Sequence, residues 1–199
     1  ERKGPTTYNY VLSARKRNTQ DTFTPILAGS STRFPTGYKG LYTANADALR
    51  GLDPANHDGT GKLIATYDTT QGQRSVKLAL EGYTNDQGEI SDALYRYLAR
   101  ADRSGEFRFV TLNDMVTAQA QAGTTKQELV TVASNWTATG AGRGDATVSG
   151  GDLPTGDFLL LTECWDTNFG RVYYKDSKEL EPQEGDVTQC AFDKALPSE

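Results

Sequence analysis

The residues best suited to acid–base chemistry are the only histidine, His57, and the two carboxylates near it, Asp53 and Asp58. An imidazole titrates near neutral pH, so His57 could act as a general base or, with the carboxylates, as a metal ligand. A single histidine excludes zinc sites built from several histidines, and no nucleophile-elbow motif supplies a serine for a triad. A solvated loop histidine explains the residue more simply. We therefore predict no catalytic residue.

Asp53, Asn56 and Asp58 also offer oxygen ligands of the kind that calcium prefers. Their spacing does not match an EF-hand loop, because no glutamate closes the loop at the required offset. Asp and Asn side chains in such a stretch are explained by turn formation, since they cap turns through their own backbone. The sequence therefore predicts neither a metal site nor a cofactor.

Two short motifs match recognition signals. Arg143-Gly144-Asp145 is the tripeptide that integrin ligands display in exposed loops, and Asn135-Trp136-Thr137 fits an N-glycosylation acceptor. The glycines around the first motif suit tight turns between strands, and the second falls in a strand-like run. We interpret both as structural. The 26 acidic residues offer many pairs of glycosidase type, and nothing singles one out.

The two cysteines, Cys164 and Cys190, are predicted to form a disulfide, with two buried thiols as the alternative. Cys164 follows the apolar run 158–161, whereas Cys190 follows a polar tail, 179–189, that has little else to hold it. A bridge would stabilise the fold by about 3 to 4 kcal/mol in the chain-entropy model. Disulfides persist in oxidising compartments, so we expect a periplasmic, outer-membrane-associated or secreted protein.

Composition narrows the class of protein further. The 199 residues are 36% hydrophobic and 24% charged, which is typical of a folded domain. The net charge is -5 and the basic residues are scattered, so nucleic acid is not the expected partner. The longest strongly apolar run is too short to span a membrane. The chain begins at Glu1 without an apolar signal segment, so we expect trimmed targeting residues and allow a lipid anchor before residue 1.

Apolar and polar residues alternate with period two through most of the chain, which is typical of half-buried strands. The stretch before Pro35, rich in threonine, is expected to be irregular, and 114–122 is expected to form one or two helical turns. Residues 90–100 are interpreted as a strand, with a helix as the alternative. The clearest remaining strands are 8–14, 38–46, 61–68, 74–84, 106–112, 128–137, 145–149, 157–163 and 171–174.

Seven to ten antiparallel strands joined as a meander, with one or two short helices, make a mainly β fold. Such a sheet would form a barrel, a curved half-barrel or a sandwich, because it must bury its apolar face and protect its edges. We expect one domain, 1–199, with a tail from about 176 onward docked by the disulfide.

Aromatic residues suggest where a ligand would bind. Ten tyrosines and seven phenylalanines on alternating strands could line a concave sheet face. The predicted ligand-binding residues are Tyr95, Tyr97, Trp165 and Tyr173. Around Trp165, the alternative interpretation is a disulfide packed against a core tryptophan.

The C-terminal third resembles a known group of sequences. Residues 132–153, 162–169 and 172–174, with Cys164-Trp165-Asp166 as the most specific block, resemble uncharacterised exported lipoproteins of myxobacteria and related bacteria. The resemblance implies an envelope or exported location. It implies no activity and no catalytic residue.

The leading hypothesis is a non-catalytic exported envelope protein that binds a lipid or another apolar or amphipathic molecule in a curved β-sheet. The alternative is a protein-interaction or structural envelope protein acting through surface loops such as 140–151. A hydrolase using acidic residues near His57 ranks last, because no motif supports it.

Overall fold

The structure is a computed structural model that describes residues 5–84, 90–114, 127–151, 153–154 and 156–196. It is mainly antiparallel β, as predicted, and the strands pair in the order in which the chain visits them. The chain divides into two compact units, Glu1–Leu94 and Tyr95–Glu199, and each is described by itself. No helix in these described ranges is long and apolar enough to cross a membrane.

The first unit is a meander interrupted by one short helix, α1 (Ala46–Leu52). The strand β6 (Ile90–Ala99) begins in this unit and ends in the second. The five strands before it are β1 (Thr6–Ala14), β2 (Thr24–Phe34), β3 (Gly37–Asn45), β4 (Lys62–Asp68) and β5 (Arg74–Thr84).

The register of these five strands brings apolar side chains from all of them into one row. Each strand contributes one apolar residue that lies directly opposite the one contributed by its neighbour. Together they form an apolar row across the five strands: Leu12, Leu27, Ala44, Leu63 and Leu80. Since side chains alternate between the two faces, residues two positions along each strand share the face of this row. The intervening positions lie on the opposite face, which carries Lys39, Asp68 and Lys77.

The second unit continues as a meander. The last strand leads into one turn of 3-10 helix at Val187–Gln189. The strands of this unit are β7 (Gly105–Asn113), β8 (Glu128–Trp136), β9 (Gly142–Gly150), β10 (Phe158–Trp165), β11 (Arg171–Asp176) and the two-residue β12 (Glu184–Gly185).

The C-terminal tail, defined here as residues 177–196, is attached to the second unit by a disulfide. Cys164 and Cys190 are bonded, with their Cα atoms 5.4 Å apart, so the predicted pairing is confirmed. Cys164 is fully buried. Two backbone groups of the tail, the Phe192 carbonyl and the Leu196 N–H, also hydrogen-bond side chains of β9. The tail is therefore held by a covalent bond, by the pairing of β12 with β11 and by buried polar contacts.

Three details differ from the sequence-based expectations. The stretch expected to be irregular contains the eleven-residue strand β2, and the end of the predicted strand 38–46 begins helix α1. The described residues form eleven strands and the short β12, more than the seven to ten expected. Residues 90–99 form a strand, not the alternative helix. The residue types of 85–88 (Asn-Asp-Gln-Gly) indicate a turn, and this segment lies outside the described residues, as do the helical turns predicted after Asp114.

Candidate functional site

The first unit contains an open apolar cavity of about 370 Å³. All five members of the apolar row line it, and they come from five successive strands, so the register of the whole meander builds the lining. The volume falls within the roughly 300 to 1,000 Å³ typical of small-molecule sites. The cavity is therefore large enough for a small apolar molecule or one acyl chain.

Helix α1 supplies one wall of the apolar cavity through Leu49. Asn45 caps the helix, since its Oδ1 accepts a hydrogen bond from the Ala48 N–H at 3.0 Å. The helix is tied to the start of β4 because Asp47 Oδ1 accepts from the Gly61 N–H at 2.9 Å. Gly61 has no room for a side chain: a Cβ there would lie 2.3 Å from the Glu81 carbonyl oxygen. These contacts hold a seven-residue helix that would be marginal alone.

Two breaks in strand regularity add further side chains to the cavity. On β2, Leu27 faces Leu12 and Pro25 faces Ser13, which leaves Ile26 as an extra residue between them. Such a bulge changes the direction of a side chain, and Ile26 joins Leu27 in the lining. On β5, Gly82 has a positive φ of 63°, and the next residue, Tyr83, also lines the cavity.

The lining is chemically suited to binding rather than to reaction. Its hydroxyl groups belong to Thr60 and Tyr83, and the Thr60 hydroxyl donates to the Gly82 carbonyl at 2.9 Å. Lys62 is the one charged residue of the lining, and it is exposed. No carboxylate, histidine or cysteine is present among the lining residues. Apolar surface with a few polar groups at its margin fits an apolar or amphipathic ligand.

A second, polar cavity of about 460 Å³ lies on the opposite face of the same five strands. We call it the polar groove. Asp68 accepts hydrogen bonds from the Thr70 N–H and hydroxyl and pairs with Lys39, and these contacts hold its pKa below the ordinary value. The side chains that form the polar groove are Ser30, Thr32, Lys39, Leu41, Thr66, Asp68, Ser75 and Lys77, with backbone at Gly40 and Tyr67.

The four predicted ligand-binding residues all lie in the second unit, and none lines either cavity. Tyr95 packs edge to face on Phe107 at 5.0 Å between ring centroids, and Tyr97 stacks on Trp136 at 5.6 Å. The rings of Tyr95 and Tyr97 are therefore packed against other aromatic rings.

Trp165 and Tyr173 are not brought together either. Trp165 donates its indole N–H to the Gly140 carbonyl at 2.8 Å. Tyr173 is buried and faces Cys164, whose side chain points away from that of its neighbour Trp165. A ligand role for the four residues stays a prediction, and the apolar cavity is a site that the aromatic residues did not indicate.

His57 lies exposed in the loop between α1 and β4. The Asn56 and His57 N–H groups donate to the Asp53 carbonyl at 3.3 and 3.0 Å, which forms a turn here. The Asn56 side-chain amide also donates to both carboxylate oxygens of Asp53, at 3.0 and 2.9 Å. Across the residues that the structure describes, no group of three or more His, Cys, Asp or Glu side chains could hold a metal ion.

Arg143 and Asp145 form a buried ion pair on β9, so the tripeptide is not displayed in a loop. The guanidinium Nε lies 2.9 Å from Asp145 Oδ2, and both residues are about 95% buried beneath the C-terminal tail. Burial opposes ionisation of Asp145. Hydrogen bonds from Arg143, Thr162 and the Leu196 N–H outweigh it and hold the pKa of Asp145 below its ordinary value. The stretch 140–151, expected to offer interaction loops, is mostly strand β9.

Asn135 of the glycosylation motif is also engaged in the fold. It lies on β8, and its Oδ1 accepts a hydrogen bond from Arg108 Nη1 at 2.9 Å. This contact agrees with the structural interpretation of the motif.

No family model, curated protein or solved structure matches this chain. The two cavities are therefore the features of this chain that bear on its function.

Proposed function

We propose that the chain is a non-catalytic, exported envelope protein whose first unit binds an apolar or amphipathic small molecule in the apolar cavity. The observation that supports this proposal is the row Leu12, Leu27, Ala44, Leu63 and Leu80, which presents adjacent apolar side chains to an open cavity. A monomeric fold gains stability by closing such a space with its own side chains. Leaving it open between a helix and a sheet suits a ligand site.

The size of the cavity sets the expected affinity. Each methylene transferred from water to an apolar site contributes about 0.8 kcal/mol, so eight buried methylenes would contribute about 6 kcal/mol. Loss of ligand freedom offsets several kcal/mol of that gain. We therefore expect dissociation constants in the millimolar range for single-chain amphiphiles.

An exported location forms part of the same proposal. The Cys164–Cys190 disulfide is typical of oxidising compartments, which include the periplasm and the cell surface. The resemblance to myxobacterial exported lipoproteins supports the same location. A host envelope would also supply amphipathic ligands in the form of lipids and their breakdown products.

Ligand titration of matched variants tests the cavity. Ala44→Phe places a ring in the middle of the apolar row, whereas Ala28→Phe makes the same change at an exposed position on the opposite face of the sheet. With dodecanoic acid as the probe in isothermal titration calorimetry, we expect one site per chain. Ala44→Phe should weaken binding at least tenfold, and Ala28→Phe should leave it within about twofold.

Equal binding by both variants would place the ligand elsewhere and overturn the proposal. Native mass spectrometry of protein purified from its own host gives an independent measurement. A stoichiometric apolar passenger, lost in Ala44→Phe, would support a carrier. An empty protein that neither binds dodecanoic acid nor carries a passenger would favour the alternative of a protein-interaction role.

A further inference from the structure

We infer that the polar groove is a second binding site, for an acidic saccharide. This site goes beyond the apolar cavity, because it lies on the opposite face of the same strands and has a different lining. It is based on four polar side chains that make no hydrogen bond or ion pair within the described residues, and on one exposed apolar side chain among them.

Three of these four polar side chains lie in one line across the strands. Ser30 faces Leu41, Leu41 faces Thr66, and Thr66 faces Lys77, so four successive strands contribute one residue each. Neighbouring strands are about 4.8 Å apart, so this row, here called the groove row, extends over about 14 Å. That is long enough for a short linear oligosaccharide lying across the strands.

Each position of the groove row matches a feature of a sugar acid. The hydroxyls of Ser30 and Thr66, and that of Ser75 beside them, make no hydrogen bond with another residue in the described part of the chain, so they can bond to sugar hydroxyls. Leu41 is 43% exposed and offers an apolar surface to the C–H face of a ring.

The charges of the groove favour a carboxylate on the ligand. Asp68 is already neutralised by Lys39, whose Nζ lies 3.5 Å from its Oδ2, and it also accepts two hydrogen bonds from Thr70. Lys77 is exposed and makes no ion pair with any residue in the described ranges. The groove therefore presents one uncompensated positive charge beside three hydroxyls.

The same lining disfavours phosphates and nucleic acids. Phosphate sites use clustered cations or free backbone N–H groups, whereas the ladders of β2 to β5 occupy the backbone here. Single-stranded nucleic acids need aromatic side chains on which bases stack. The groove row and the adjacent row of Thr32, Lys39, Asp68 and Ser75 contain no aromatic residue.

The test is an NMR titration of the full chain with trigalacturonic acid, using neutral maltotriose and tripolyphosphate as comparison probes. We expect amide shifts in β2 to β5 with trigalacturonic acid, about fivefold weaker binding in Lys77→Gln and about threefold weaker binding in Thr66→Val. The matched control is Arg74→Gln. It removes the same charge from an exposed position of β5 on the opposite face, and it should leave the affinity unchanged.

Three outcomes would overturn the inference: no saturable shifts with trigalacturonic acid, equal weakening by Lys77→Gln and Arg74→Gln, or tighter binding of tripolyphosphate than of the saccharide. Equal weakening would mean that the saccharide follows net charge alone. Tighter binding of tripolyphosphate would mean a general anion site. The Arg74→Gln control and an unchanged urea midpoint in Thr66→Val guard against loss of folding as the cause.

Discussion

The indole of Trp165 occupies the space in which a side chain of Gly142, the residue facing it on β9, would stand. A Cβ on Gly142 would lie 2.2 Å from Trp165 Cζ2, and the indole N–H reaches the Gly140 carbonyl at 2.8 Å. Trp136 repeats the arrangement over Gly105, with its N–H donated to the Arg103 carbonyl at 2.9 Å. An aromatic side chain over a cross-strand glycine compensates for the packing that glycine lacks.

Because of this arrangement, adding one methyl group at Gly142 should destabilise the second unit. Gly142→Ala would force the Trp165 ring to move, so we expect a loss of about 1 to 3 kcal/mol in the free energy of unfolding, as for overpacked cores. Gly144→Ala is the matched control on the same strand, because its Cβ would lie at an ordinary 3.7 Å from the ring. Urea unfolding checks the difference. Equal midpoints for the two variants would mean that the ring does not fill the space.

Removing one partner of the Arg143–Asp145 pair should lower the free energy of unfolding more than replacing both residues with apolar ones. Asp145→Asn leaves the buried guanidinium without its charge partner, so we expect a loss of about 3 to 5 kcal/mol at neutral pH. The double variant Arg143→Met/Asp145→Leu removes both charges but leaves the Thr162 hydroxyl and the Leu196 N–H without their acceptor, so it should recover only part of that stability. If the double variant is less stable than Asp145→Asn, the pair itself contributes net stability and the expectation is wrong.

The same carboxyl predicts a pH dependence. The pKa of Asp145 is lowered in the folded protein, because its hydrogen bonds outweigh the effect of burial. The stability that it contributes is present above the unfolded pKa and is lost as the pH falls through the lower folded pKa. We therefore expect the stability difference between the wild type and Asp145→Asn to shrink below about pH 4. A difference that stays constant down to pH 2 or so would contradict the assigned ion pair.

Removing the disulfide should release the C-terminal tail. The bonded cysteines are 26 positions apart, and closing a loop of that length stabilises by about 3 to 4 kcal/mol in the chain-entropy model. In Cys164→Ala/Cys190→Ala, we expect trypsin to cut at Lys178 or Lys194 much faster than in the wild type. A mass decrease of two hydrogens in the untreated wild type verifies the bond. Unchanged cleavage in the double variant would show that the polar contacts alone hold the tail.

Helix α1 should control access to the apolar cavity. Asn45→Ala removes the side chain that caps the helix, which costs about 1 kcal/mol. We expect this variant to release dodecanoic acid faster while keeping the circular dichroism of the β-sheet. Asn9→Ala, at an exposed position of β1 outside the cavity lining, is the matched control and should not change the release rate. Stopped-flow displacement measures both rates.

Much of the fold could be predicted from the sequence because strict alternation marks half-buried strands. The hairpin of β4 and β5 follows directly from two alternating runs around Gly72. Strand β2 was missed because the extra residue Ile26 breaks its alternation and its second half is rich in small polar residues. The glycines around Arg143-Gly144-Asp145 suggested tight turns, yet one of them, Gly142, lies inside strand β9 and makes room for an indole.

The site was harder to predict because it depends on register. Counting aromatic residues pointed to Tyr95 and Tyr97, whose rings pack on other rings. The cavity is instead lined mainly by aliphatic side chains from separate strands. The sequence around Leu12 or Leu80 does not indicate that the three intervening strands place these residues in the same row. A register slip of one residue would move a side chain to the other face of the sheet.

The burial of Cys164 limits when its bond can form. Its sulfur is inaccessible in the folded protein, whereas Cys190 is only partly buried, so an external oxidant would react at Cys190 and Cys164 would then attack the mixed disulfide formed there. Closing the bond is therefore an exchange within the chain, and it requires the tail to lie beside β10, where the two Cα atoms are 5.4 Å apart. A chain whose Cys190 thiol is blocked would therefore keep Cys164 as a buried, unreacted thiol.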